Sequence, residues 1–116
     1  DHTFEQLTKL DAGDANPIPR LTEVTALVAQ HFADARPSIN IELKGKETAA
    51  PTARFLQAHP ELAVLVSSFN HRELAAFRAL DETTPIAPLF EGARASMLDT
   101  ASALGASCVN VSAASI

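Results

Sequence analysis

Residues 39–44 read Ile-Asn-Ile-Glu-Leu-Lys, and this short stretch decides how the fold is interpreted. Side chains alternate between the two faces of a β-strand, so Ile39, Ile41 and Leu43 share one face. The opposite face carries an amide, a carboxylate and an ammonium: Asn40, Glu42 and Lys44. Strands of a parallel sheet are usually covered on both faces and read as unbroken aliphatic runs. The polar face therefore predicts either contact with solvent or a cavity in which the charges are compensated.

Three further strand-like runs follow at a regular interval. The four runs lie near residues 39–44, 63–69, 85–89 and 107–111, so their starts are 24, 22 and 22 residues apart. Each interval is about the length of one strand and one helix, and helical patterns accompany the runs. Strands that alternate with amphipathic helices predict an α/β fold with a parallel sheet.

Five helices are predicted, near residues 3–10, 21–33, 48–58, 70–80 and 93–104. Two of them begin with the spacing of a capping box. In this motif the side chain three positions after the cap residue accepts a hydrogen bond from the backbone N–H of the cap residue. These pairs are Thr3 with Gln6 and Asn70 with Glu73. Gly105 suits the end of the fifth helix. The charges of the segment ELAAFRALDE, residues 73–82, predict a solvated helix face.

Length and composition exclude several classes of protein. The 116 residues suffice for one domain, and 47% hydrophobic with 20% charged residues indicates a soluble globular chain. A net charge of −5 argues against a nucleic-acid backbone as the main partner. The longest apolar run, Leu62 to Val66, is far too short to cross a bilayer. A single cysteine, Cys108, allows neither an internal disulfide nor a cysteine metal site.

The residues alone leave the meaning of Glu42 and Lys44 open. They fit an ordinary ion pair on an exposed edge strand, or solvated groups on a sheet with one covered face, and neither adds much stability. They equally fit the C-terminal end of a barrel strand, where the active sites of (β/α) barrels collect. There a carboxylate can hold a divalent cation, and an ammonium can neutralise a phosphate oxygen.

Longer segments around this strand carry a resemblance to a known family. NIELK at 40–44, VLVSSFNHRELAAFRAL at 64–80, TFEQLTKLDAG at 3–13 and NPIPRLTEV at 16–24 resemble the glycerophosphodiester phosphodiesterases, which are TIM-barrel enzymes. The order and spacing match from Thr3 to about Val111. The resemblance implies that residues 1–116 are a single segment of a TIM (β/α)8 barrel, about strands four to seven, incomplete as given. The N-terminal strands and the closing strand of the barrel are expected beyond the two ends.

The family resemblance also implies a function and a set of site residues. The implied reaction is metal-dependent hydrolysis of glycerophosphodiesters to glycerol 3-phosphate and an alcohol, a step of lipid metabolism. Glu42 would be a metal ligand for Mg²⁺ or Ca²⁺, and Lys44 would be the catalytic residue beside the substrate phosphate. Phe69 would line the mouth of the site near the alcohol. The pattern CVNV adds Asn110 as a candidate for substrate binding that points into the barrel, and it fits a buried amide with satisfied hydrogen bonds equally well.

Other expectations follow from what the chain lacks. The His-Arg-Gly, His-Asp and Glu-x-Asp motifs of the family do not occur, so the 116 residues alone are expected to be inactive. One alternative is a non-catalytic half-barrel or interaction module that associates through open strand edges. A second is a flavodoxin-like domain that binds a small ligand, with helices on both faces of its sheet. We expect a small-molecule substrate, no nucleic acid, no transmembrane segment and a cytoplasmic location.

Overall fold

A computed structural model describes residues 3–11, 13, 15–31 and 38–115. The chain divides into two compact units, Asp1–Pro37 and Ser38–Ile116. The elements in chain order are α1 (Phe4–Leu7), α2 (Leu21–His31), β1 (Ile39–Glu42), α3 (Ala49–Ala58), β2 (Val64–Ser68), α4 (His71–Leu80), β3 (Ile86–Phe90), α5 (Met97–Leu104), β4 (Asn110–Val111) and a 3-10 helix (Ala113–Ser115). The predicted last two residues of α2, 32 and 33, lie outside the described residues. Within the described ranges, no helix is long and apolar enough to cross a membrane.

In the first unit, the described residues form two helices, α1 and α2. The hydroxyl of Thr3 accepts a hydrogen bond from the Gln6 N–H at 3.1 Å, and the Thr3 N–H donates to Gln6 Oε1 at 2.9 Å. The predicted capping box is therefore confirmed, although α1 ends at Leu7, earlier than expected. The Arg20 guanidinium lies 3.8 Å from the centre of the Phe4 ring, a favourable cation–π distance.

The second unit contains a four-stranded parallel sheet in the order β1-β2-β3-β4. Each strand lies beside the strand that precedes it in the chain. Parallel crossovers are right-handed in nearly all proteins, so an unreversed order places the connecting helices on one face of the sheet. A flavodoxin-like sheet reverses its strand order at a switch point, which is not the arrangement found here. The fourth strand is shorter than the predicted 107–111 and contains only Asn110 and Val111.

The helix-covered face of the sheet carries the hydrophobic core. Val66 of β2 and Ile86 of β3 are fully buried, and Leu74 and Phe77 of α4 are fully buried in the same cluster. Leu56 of α3 is buried in the same cluster. Burial of each such large side chain contributes about 1.5–3 kcal/mol. This core packs the helices against one face of the sheet, and the opposite face of the sheet carries polar side chains.

Candidate functional site at the carboxyl ends of the strands

The strand register collects seven side chains on the face opposite the core. Glu42 pairs with Ser67, Ser67 pairs with Ala87, and Leu89 pairs with Asn110. Paired residues of a parallel sheet point to the same side, and so do residues two apart on one strand. This face, which we call the polar face, therefore carries Asn40, Glu42, Leu65, Ser67, Ala87, Leu89 and Asn110.

Glu42 and Lys44 form an ion pair where β1 ends. Lys44 Nζ lies 3.4 Å from Glu42 Oε2, and the two side chains are 80% and 28% exposed respectively. An ion pair this exposed contributes at most about 1 kcal/mol to stability. The pair therefore adds little to stability, and it lies at the carboxyl end of β1.

Ser67 is not among the predicted site residues, although its side chain lies beside Glu42 on the neighbouring strand. Its side chain is fully buried, and its hydroxyl donates to Asn40 Oδ1 at 2.8 Å. The hydrogen bond satisfies the buried hydroxyl, which would otherwise carry a desolvation cost. Strand alternation would assign Ser67 to one face of β2, but only the register shows that this face adjoins Glu42.

The other two predicted site residues lie further apart. Phe69 directly follows β2, at the same edge of the sheet as Glu42 and Lys44, and the residue is 52% exposed. Asn110 is half-buried on the polar face. It lies three strands from Glu42, a separation of about 14 Å at roughly 4.8 Å per strand. The structure thus brings Glu42 and Lys44 together, places Phe69 one strand away and leaves Asn110 on the far side.

The hydrogen bonds of Glu73 differ from the predicted capping box and from the predicted solvated helix face. Asn70 Oδ1 accepts from the Glu73 N–H at 3.2 Å, but the Asn70 N–H donates to Ser68 Oγ at 2.9 Å, so only half of the predicted capping box is present. The Glu73 carboxylate instead accepts from the backbone N–H groups of Glu47 at 3.2 Å and Ala49 at 3.0 Å. This part of the α4 surface is therefore a contact with the β1–α3 loop and not a solvated face.

The donor set of the site fits one ligand of a metal ion and not a complete ligand set. The described part of the chain contains no group of three or more His, Cys, Asp or Glu side chains that could hold a metal. Glu42 is the carboxylate of the polar face. His71, at the start of α4, places its Nε2 3.0 Å from the Leu89 carbonyl oxygen, and its ring packs edge-on against Phe90.

A cavity of about 650 Å³ lies at the opposite edge of the sheet. Its lining includes the residues directly before β1, β2 and β3, which are Ser38, Ala63 and Pro85. Active sites of (β/α) barrels occupy the carboxyl ends of the strands, so this cavity is separate from the candidate site.

Asp81 fastens the turn between α4 and β3 at that opposite edge. Its carboxylate accepts hydrogen bonds from the N–H groups and hydroxyls of Thr83 and Thr84. Partial burial by itself would raise the pKa of Asp81, but the hydrogen bonds from Thr84 and Thr83 together lower the pKa below its ordinary value of 3.8. Asp81 therefore stabilises the turn as a carboxylate.

The arrangement of strands and helices has a counterpart among solved structures. The chain superimposes on the crystal structure of "a putative glycerophosphodiester phosphodiesterase from Galdieria sulphuraria" with a TM-score of 0.78 and 27% sequence identity. The match covers 96% of this chain and 48% of that one. The strands and helices form half of a TIM barrel. The predicted fold class is thereby confirmed, and the chain spans about half the length of the protein it matches. No protein-family model matches the chain.

Proposed function

We propose that this half-barrel belongs to a metal-dependent phosphodiesterase that hydrolyses glycerophosphodiesters to glycerol 3-phosphate and an alcohol. The observation that carries the proposal is the 3.4 Å ion pair of Glu42 and Lys44 at the carboxyl end of a barrel strand. The likeness to the Galdieria sulphuraria protein supports the choice of substrate class.

Lys44 has the chemistry that this reaction needs at the phosphate. Hydrolysis adds water to phosphorus and breaks the bond between phosphorus and the alcohol oxygen, and negative charge shifts among the oxygens as it proceeds. An ammonium that donates to one of these oxygens stabilises the charge as it develops. In this proposal Lys44 is that donor, and the proton transfers to and from water and alcohol belong to two histidines outside this chain.

Glu42 would supply one oxygen ligand to Mg²⁺ or Ca²⁺, which both prefer carboxylate oxygens. A divalent cation bound there would withdraw electron density from a phosphate oxygen. The polar face offers this single carboxylate, so the proposal assigns the remaining metal ligands to other parts of the barrel.

Phe69 and Asn110 would bind the organic portions of the substrate. The exposed ring of Phe69 offers apolar contact at the edge of the site, which suits the departing alcohol. The amide of Asn110 can both donate and accept, which suits a hydroxyl of the glycerol group.

The substitution Glu42→Gln in the intact protein tests the proposal. Gln keeps the size of the side chain but removes the charge that binds a cation, so we expect turnover of a glycerophosphodiester to fall by on the order of 100-fold or more, with a higher metal requirement. Steady-state kinetics over a Mg²⁺ and a Ca²⁺ titration measure both effects, and circular dichroism checks the fold.

Glu61→Gln serves as the matched control, because Glu61 is an exposed carboxylate on the turn before β2, away from the strands' carboxyl ends. The control should behave as the unmodified protein. Normal turnover and a normal metal requirement in Glu42→Gln would contradict the ligand role.

A further inference from the structure

The loop between β1 and α3, residues 43–48, carries Lys44 and is anchored at its start to β2 by hydrogen bonds. The Leu43 N–H donates to the Ser67 carbonyl oxygen at 2.8 Å, and the Ser68 hydroxyl donates to the Leu43 carbonyl oxygen at 2.6 Å. Leu43 is itself buried in the core. The residue immediately before Lys44 is thus held by backbone, side-chain and packing contacts.

Glu73 fastens the other end of the same loop. Its Oε2 accepts from the Glu47 N–H and its Oε1 from the Ala49 N–H, across 26 and 24 residues of sequence. Glu47 has a φ of +59°, a left-handed conformation that residues other than glycine rarely adopt. Ala49 begins α3, where the helix dipole favours a carboxylate. One side chain of α4 therefore stabilises an unfavourable turn and a helix start together.

Lys44 lies between the two hydrogen-bonded ends of the loop, and its own side chain is mostly exposed to solvent. It is 80% exposed, and its ion pair among the described residues is with Glu42. The position of the ammonium therefore depends on the backbone that carries it. Within the loop the Thr48 hydroxyl donates to the Gly45 carbonyl oxygen at 3.0 Å, and Glu73 then connects the distal end of the loop to α4.

We propose that Glu73 is a positioning residue for the phosphodiesterase site: by holding the end of the β1–α3 loop, it keeps Lys44 beside Glu42 and in line with the substrate phosphate. The inference rests on the proposed function for its catalytic consequence. Its structural part, the restraint of the loop, stands on the two hydrogen bonds of Glu73.

The first test is Glu73→Ala in the intact protein, with Glu73→Gln as the conservative variant that keeps one acceptor. We expect amide hydrogen exchange at Glu47 and Ala49 to become at least roughly tenfold faster in Glu73→Ala, because both acceptors are gone. We expect kcat to fall on the order of tenfold while KM changes by less than about threefold, because Lys44 acts as charge develops. Glu73→Gln should retain an intermediate kcat.

A double-mutant cycle separates positioning from general structural support. In a Lys44→Ala background, Glu73→Ala should lower kcat by less than about twofold further, since the group that it positions is already absent. A purely structural role would lower kcat by the same factor in both backgrounds. Glu82→Ala is the matched control, because Glu82 is an exposed carboxylate near the other end of the sheet.

Each outcome decides the inference. Unchanged exchange at Glu47 and Ala49, or equal loss of kcat in both backgrounds, overturns it, and if Glu73→Ala does not fold the same comparison is made with Glu73→Gln. A lack of hydrolysis by the unmodified intact protein with metal supplied would refute the proposed function instead. Hydrogen exchange alone would then decide whether Glu73 holds the loop.

Discussion

Glu42 lies on a strand face that most parallel sheets fill with aliphatic side chains, and its neighbours explain how the fold tolerates this. Lys44 pairs with the carboxylate, and the buried Ser67 hydroxyl donates to Asn40. No buried side-chain nitrogen or oxygen in the described ranges lacks a hydrogen-bond partner. The polar face therefore carries no large desolvation penalty, yet it offers little stability in return.

Asp81 gives a residue-scale prediction about pH. Its pKa in the folded protein lies below 3.8, so the carboxylate stabilises the fold at pH values above the unfolded-state pKa, and this contribution is lost as the pH falls through the lower folded-state pKa. We therefore expect Asp81→Asn to be less stable than the unmodified protein at neutral pH, and the difference to shrink from about pH 4 downward. Urea unfolding at several pH values measures it.

The neighbouring exposed residue provides the control for that experiment. Glu82→Gln removes a negative charge from the same turn without touching the hydrogen bonds of Asp81. A difference between Asp81→Asn and the unmodified protein that is equally large at neutral and strongly acidic pH would argue against stabilisation by the ionised carboxylate.

At the scale of elements, the end of α5 requires a residue in the left-handed backbone conformation. Gly105 has a φ of +68°, its N–H donates to the Ser102 carbonyl oxygen, and the Ala106 N–H donates to the Ala101 carbonyl oxygen. This pair of bonds is a Schellman motif, which needs a left-handed residue after the helix. The sequence predicted this end correctly because glycine is the residue that adopts this conformation without strain.

The substitution Gly105→Ala tests that requirement. A Cβ at this position would meet Arg78 Nε at 3.8 Å, an ordinary contact, so the cost comes from the backbone conformation. We expect a loss of about 1 kcal/mol in the free energy of unfolding, measured by urea denaturation. Gly92→Ala is the matched control: it has open space within 4 Å and no left-handed φ, and should change stability by less than about 0.5 kcal/mol. Equal effects of the two substitutions would contradict the explanation.

Features that depend on residues close together in the sequence were predictable. Features that depend on backbone groups far away in the sequence were not. The Thr3–Gln6 cap, the glycine stop and the alternation that joins Glu42 to Lys44 each depend on residues a few positions apart. The partners of Glu73 lie more than 20 residues away and are backbone amides, which leave no mark in the sequence. The bond between Ser67 and Asn40 likewise appears only once the register of two strands is known.

The whole molecule presents two end strands, β1 and β4, in the sheet that the structure describes. Unpaired strand edges favour association with other chains. We therefore expect the isolated 116-residue chain to associate increasingly with concentration in sedimentation velocity experiments. We also expect it to show no hydrolysis of a glycerophosphodiester with Mg²⁺ or Ca²⁺, because the proposed acid–base histidines are not in this chain.

Two results would count against that expectation. Measurable hydrolysis by the isolated chain, unaffected by Glu42→Gln, would mean that other groups perform the reaction. A single sedimenting species of monomer mass at every concentration would mean that the edges of β1 and β4 are protected within the chain itself.

The unreversed order of the half-barrel strands has a consequence for how the protein is made. The paired residues Ile39 and Val64, Val66 and Ile86, and Leu89 and Asn110 are separated by 25, 20 and 21 residues. Closing chain segments of similar, short length costs a similar entropy at each step, and such near-neighbour pairing favours rapid assembly. As the chain leaves the ribosome, each new strand can therefore dock on a partner synthesised moments before. Translation and folding of this unit can run in the same direction, one βα unit at a time.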